Sequence, residues 1–80
     1  MTPTELIDAV EAMIDDCAAV ANPALAERLS VALRTLSDAA EARGFAIRYR
    51  LLGDIEDAMR HEGQCDTYVA DAVAILEALS

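Results

Sequence analysis

GFAIRYRLLGDIEDAMRHEG, residues 44–63, decides how many helices this 80-residue chain contains. Phe45, Ile47, Tyr49 and Leu51 alternate with Ala46, Arg48 and Arg50, the period-two pattern of a strand. From Leu51 onward the spacing turns helical, with Leu52, Ile55 and Met59 on one side. A lone strand in an otherwise helical chain needs a second copy to pair with. The stretch is therefore read as one helix from about Ala46 to Glu62. Gly44 is then the C′ residue of the helix before it, and Gly63 closes this one by the same left-handed conformation. Gly53 in the middle and Arg48 near the apolar stripe count against that reading.

On the N-terminal side, a helix is expected from Pro23 to Arg43, capped by Asn22 with Pro23 in its first turn. Leu25, Leu29, Ala32, Leu33, Leu36, Ala39 and Ala40 form its seam. Before it lies ELIDAVEAMIDDCAAV, residues 5–20, where Leu6, Val10, Met13, Cys17 and Val20 recur at steps of four and three, widened by Ile7 and Ile14. Thr2-Pro3-Thr4-Glu5 starts that helix with a T-x-x-E capping box. Beyond Gly63, Asp66 is a candidate cap for a last helix ending near Leu79, with Cys65, Tyr68, Val69, Ala72, Ile75, Leu76 and Leu79 on one face. The expected architecture is all-α: a single-domain up-down-up-down four-helix bundle made of two consecutive helical hairpins. Two hairpins completed by a second protomer are the other arrangement considered.

Seventeen of the residues are Ala and only three are aromatic, so the core is built by close helix approach more than by large side chains. Eighty residues sit near the lower limit for a self-sufficient core, and dimerisation would add buried area. No secretory leader pattern and no apolar run near 18 residues is present, so the expectation is a cytoplasmic protein with reduced cysteines and no membrane partner.

The net charge is −9, and all six positive side chains are Arg. That balance argues against nucleic acid as a direct ligand and for a protein with a basic surface. The charge is uneven. Glu5, Asp8, Glu11, Asp15 and Asp16 stand on the first helix with no base, and Asp66, Asp71 and Glu77 stand on the last, again with none. In a bundle of this kind the terminal helices are neighbours, which predicts one acidic half. Asp8, Glu11 and Asp15 fall in a column with steps of roughly 4.5–6 Å, similar to the phosphate spacing along a nucleic-acid strand. Glu5, Asp8, Glu11, Asp15, Asp16, Asp71 and Glu77 are the candidate partner-binding residues. The plain alternative is a charge strip that serves only solubility. Against it, the first helix forgoes every acid–base pair at i, i+4 that would have stabilised it.

A second candidate interface is the basic and aromatic cluster Arg43, Phe45, Arg48, Tyr49 and Arg50, residue types enriched where interfaces concentrate energy. Cys17 and Cys65 are expected at the same end of the bundle, close enough to consider a bridge, with buried reduced thiols as the simpler reading. His61 joins them there, but no C-x-x-C or EF-hand spacing occurs, so no metal and no cofactor is expected. Length, acidity and four helices invite comparison with acyl carrier proteins, which attach their prosthetic group to the serine of an Asp-Ser-Leu motif. Ser30 in Leu29-Ser30-Val31 and Ser37 in Leu36-Ser37-Asp38 lie inside a helix, and neither follows an Asp. No nucleophile–base motif is present, so catalysis is not expected. The reading that results is a small acidic protein-binding module, monomer or homodimer. Most concretely it is an inhibitor covering a nucleic-acid-binding surface, as phage anti-CRISPR proteins do. A structural or assembly module is the alternative.

Overall fold

A computed structural model of the chain describes residues 2–19 and 22–79, with residues 17–19 described for their backbone alone. All regular structure in those residues is helical: α1 spans Pro3–Ala19, α2 Pro23–Leu51 and α3 Ile55–Glu77. The expected four-helix bundle is thus corrected to three helices. At about 1.5 Å per residue, α2 is roughly 43 Å long, which accounts for the longest dimension of 49 Å in a body 18 × 17 Å across.

The ends of α1 and α2 follow their sequence signals. Thr2 Oγ1 accepts from the Glu5 N–H (3.2 Å), the first bond of the capping box, and donates to the Glu5 carboxylate. Asn22 Oδ1 accepts from the Leu25 N–H (3.3 Å), with Pro23 at the first helical position. The two interior glycines behave differently from expectation. Gly44 lies inside α2 and Gly63 inside α3, and a β-carbon at either would meet no atom within 4 Å. A glycine in mid-helix costs about 1 kcal/mol relative to alanine. Continuing the helix past Gly44 buries Ala46, seats Phe45 and Tyr49 against His61 and pairs Arg50 with Glu62. Continuing past Gly63 keeps Ala58, Cys65 and Ala72, seven residues apart, on one buried line. Asp66 therefore caps nothing; it is an exposed residue in the middle of α3.

The break falls instead at Leu52-Gly53-Asp54. Gly53 has φ of +80°, the left-handed region. Its N–H donates to the Arg50 carbonyl (3.1 Å), and the Asp54 N–H donates to the Tyr49 carbonyl (2.9 Å). That pair of bonds is a Schellman closure, which satisfies the last carbonyls of α2. Asp54 then caps α3, its Oδ1 accepting from the Asp57 N–H (3.2 Å). Arg48 and Arg50 in the last turn of α2, and Glu56 and Asp57 in the first of α3, match the helix dipoles on either side. Three residues thus end one helix and begin the next, folding α2 and α3 into an antiparallel hairpin.

The core changes character along that hairpin. Around the first half of α2, Leu29 and Leu36 meet Val10 of α1 and Ala72 of α3, with Leu6, Ile7, Ile14, Leu33, Leu76 and Leu79 packed about them. Further on, Ala39, Ala42 and Cys65 form a second, narrower cluster with Val69, followed by buried Ala46 and Ala58. Alanine lets α2 and α3 approach closely there. α1, roughly 25 Å long, covers only the first half. Three positions expected in a buried seam, Leu52, Ile55 and Met59, are exposed because no third helix reaches them. Met13, expected in the α1 seam, is also exposed. Val20 and the side chain of Cys17 lie outside the described residues.

Candidate acidic interface

The acidic set on α1 comes through folding intact. Glu5, Asp8, Glu11, Asp15 and Asp16 are all exposed, while Leu6, Ile7, Val10 and Ile14 turn inward. Two ion pairs are described, Arg50 with Glu62 and Arg60 with Asp57. Neither draws on α1. Asp71 and Glu77 are exposed on α3, but six residues of separation turn them roughly 120° apart around the helix. Asp71 and Glu77 therefore do not share one face of α3, whereas Asp8, Glu11 and Asp15 share one face of α1.

The three-helix arrangement also redistributes the charge. α1 carries five acids and no base, α2 three acids against five arginines, and α3 six acids against one arginine. A positive central helix is packed between two negative ones. Its arginines favour the assembly electrostatically without neutralising the outward side of α1.

The second candidate cluster is divided by the fold. Arg43 lines a groove between α2 and α3 together with Ala46, Ile47, Glu62 and Cys65, and Arg50 reaches Glu62 beside it. Phe45, Arg48 and Tyr49 lie on the other side of the hairpin. There the Phe45 and Tyr49 rings stand 5.5 and 5.1 Å from the half-buried His61 ring, and the Arg48 guanidinium lies 5.4 Å from the centre of Phe45. The five residues were expected as one surface. Helical periodicity over 43–50 places them on two.

His61, which the sequence reading puts in the last turn of a helix ending at Glu62, lies within α3 and donates from Nδ1 to the Asp57 carbonyl (2.8 Å). Cys65 is a buried free thiol; desolvation pushes its pKa up, Asp66 adds to the rise and Arg43 opposes it. It lines the groove beside Thr2 and Pro3 at the start of α1, whereas Cys17 belongs to the last turn of that helix. The two cysteines are therefore not at one end of the molecule. Among the described residues no cluster of His, Cys, Asp and Glu is arranged to hold a metal, and no helix is long and apolar enough to cross a membrane. Ser30 and Ser37 donate to the Ala26 and Leu33 carbonyls (2.9 and 3.0 Å), as mid-helix serines do.

Sequence reasoning passed over the far end of the α2–α3 hairpin. Ile47, Leu51, Leu52, Ile55 and Met59 are all exposed around the 52–54 turn. The signal was present: large apolar residues on both sides of a Gly-Asp turn, opposite a line of alanines too small to need them. Comparison with known proteins adds no identification, as no family model, curated protein or solved structure matches the chain.

Proposed function

We propose that the protein is a small, non-enzymatic binding module whose α1 face docks on the basic surface of another protein. Its most concrete form is an inhibitor that occupies a nucleic-acid-binding site, the way some phage-encoded anti-CRISPR proteins act. The observation that carries this reading is the unbroken exposed column of Asp8, Glu11 and Asp15, flanked by Glu5 and Asp16, to which neither described ion pair contributes an arginine. Carboxylates presented in this way attract a cationic surface over the screening length of about 8–10 Å. They speed encounter and set the salt dependence of binding.

The test is capture of proteins from the source cell on immobilised chain, with Asp8→Asn/Glu11→Gln/Asp15→Asn as the control. Captured proteins should be nucleic-acid binders, displaced both by salt and by duplex nucleic acid, and lost from the control. Capture that survives neutralisation and salt would refute the acidic-face mechanism. The second reading, an assembly module, is favoured by a separate observation: the exposed apolar end of the α2–α3 hairpin.

A further inference from the structure

We infer that the free end of the α2–α3 hairpin is a self-association surface. The same end of a second copy would pack against it, antiparallel, and the two hairpins together make a four-helix bundle. The inference gives the assembly reading a specific partner and geometry, and it does not depend on the acidic face of α1.

Continuity of the seam is the first argument. Val10 of α1 packs in one core with Leu29 and Leu36 of α2 and Ala72 of α3, and Leu33 and Leu76 pack against that core. Continued by steps of four and three, the α2 positions run on through Ala40 to Ile47 and Leu51, beyond the end of α1. A groove of about 650 Å³ begins where α1 begins, at Thr2 and Pro3, and is lined by Ala46, Ile47, Val69, Ala70 and Val73. The same surface that α1 fills along one half of the hairpin is therefore open along the other.

Area is the second. Leu51 is 84% exposed, Met59 62%, Ile47 53% and Ile55 46%. Taking an isolated residue of this size to present on the order of 200 Å², these fractions amount to roughly 500 Å² per copy. Two copies would bury about 1,000 Å² from these residues alone, the size a specific interface has to clear, and the patch is as large as monomers leave open.

Charge selects the occupant. Residues 43–62 contain Arg43, Arg48, Arg50 and Arg60 against Asp54, Glu56, Asp57 and Glu62, a net of zero. The whole charge of −9 resides elsewhere, so this is the end at which two such molecules meet with least repulsion. Two internal ion pairs, Arg50 with Glu62 and Arg60 with Asp57, already neutralise part of it. A strongly basic partner would be drawn to α1 instead.

Sterics set the direction. α1 lies over the same side of the hairpin, so two copies approaching with their turns at the same end would bring the two α1 helices into collision. With the turns pointing oppositely, each free end overlaps the other for the nine to twelve residues left uncovered, roughly 13–18 Å. Leu51 of each copy then reaches the partner's groove near its Pro3. The two α1 faces are carried to opposite ends of one rod.

Sedimentation equilibrium of the full chain across a wide concentration range tests this, with Leu51→Glu/Met59→Glu as the variant. Both side chains are largely exposed, so the variant keeps its helices, which circular dichroism verifies. The wild type should move from 8.6 kDa toward twice that mass, and the variant's dimer dissociation constant should rise about a hundredfold, as for loss of interface anchors. The Asp8→Asn/Glu11→Gln/Asp15→Asn chain should dimerise like the wild type, so failure here and failure of the acidic-face reading are distinguishable. A wild type that stays monomeric at every concentration overturns the inference, as does a dimer that the Leu51→Glu/Met59→Glu change leaves intact.

Discussion

Replacing each glycine by alanine should give opposite results at one site and at the other two. At Gly53, φ of +80° places a β-carbon in the left-handed region, where an L side chain costs roughly 1–2 kcal/mol. Space is not the issue, since nothing lies within 4 Å of that β-carbon. At Gly44 and Gly63 the surroundings are equally open and the backbone is helical, so alanine should stabilise by about 0.8–1 kcal/mol each. In a domain of this size 1 kcal/mol moves the melting temperature by about 4–8 °C. Gly44→Ala and Gly63→Ala should therefore melt several degrees higher than the wild type, and Gly53→Ala several degrees lower. Thermal and urea unfolding followed by circular dichroism measures this, at one fixed protein concentration because association adds to apparent stability. A Gly53→Ala chain as stable as the wild type, with Gly44→Ala and Gly63→Ala destabilised, would put the helix breaks at 44 and 63 and refute the three-helix hairpin.

Two further outcomes test the core. Leu36 is wholly buried among all three helices, so Leu36→Ala should cost about 2–5 kcal/mol in urea unfolding, while the exposed Val31→Ala stays within about 0.5 kcal/mol. Burial raises the pKa of Cys65, so the folded chain keeps that proton at pH values where the unfolded chain has lost it. The associated stability is complete below the ordinary thiol pKa and is lost as pH rises through the raised one. Unfolding measured from neutral pH upward should accordingly show a steeper alkaline loss in the wild type than in Cys65→Ala; equal slopes would contradict a desolvated thiol.

The helical class, the capping box at Thr2 and Glu5, the Asn22 cap and the inward seams of α1 and early α2 were legible because each rests on local chemistry or a clear period. The α1 acids were legible for the same reason: five carboxylates and no base within one helix. The number of helices was not. Gly44, Gly53 and Gly63 look alike in sequence, and what distinguishes Gly53 is the pairing of a Schellman closure with an Asp cap one residue later, followed by Glu56 and Asp57. A glycine followed by a capping acid is a stronger break than a glycine followed by Phe45 or Gln64. The misplaced breaks had two further consequences. They put Leu52, Ile55 and Met59 in a core, when α1 is too short to cover them, and they treated 43–50 as one surface, when a continuous helix divides it between two.

The central functional claim is that exposed carboxylates of α1 hold a cationic partner. It is tested most directly by the slope of log affinity against log salt concentration for a captured partner, measured with the wild type and with Asp8→Asn/Glu11→Gln/Asp15→Asn. Affinity for the wild type should fall steeply as salt rises. The neutralised chain should bind on the order of tenfold or more weaker at low salt, with a shallower slope. Equal slopes and equal affinities would contradict the account.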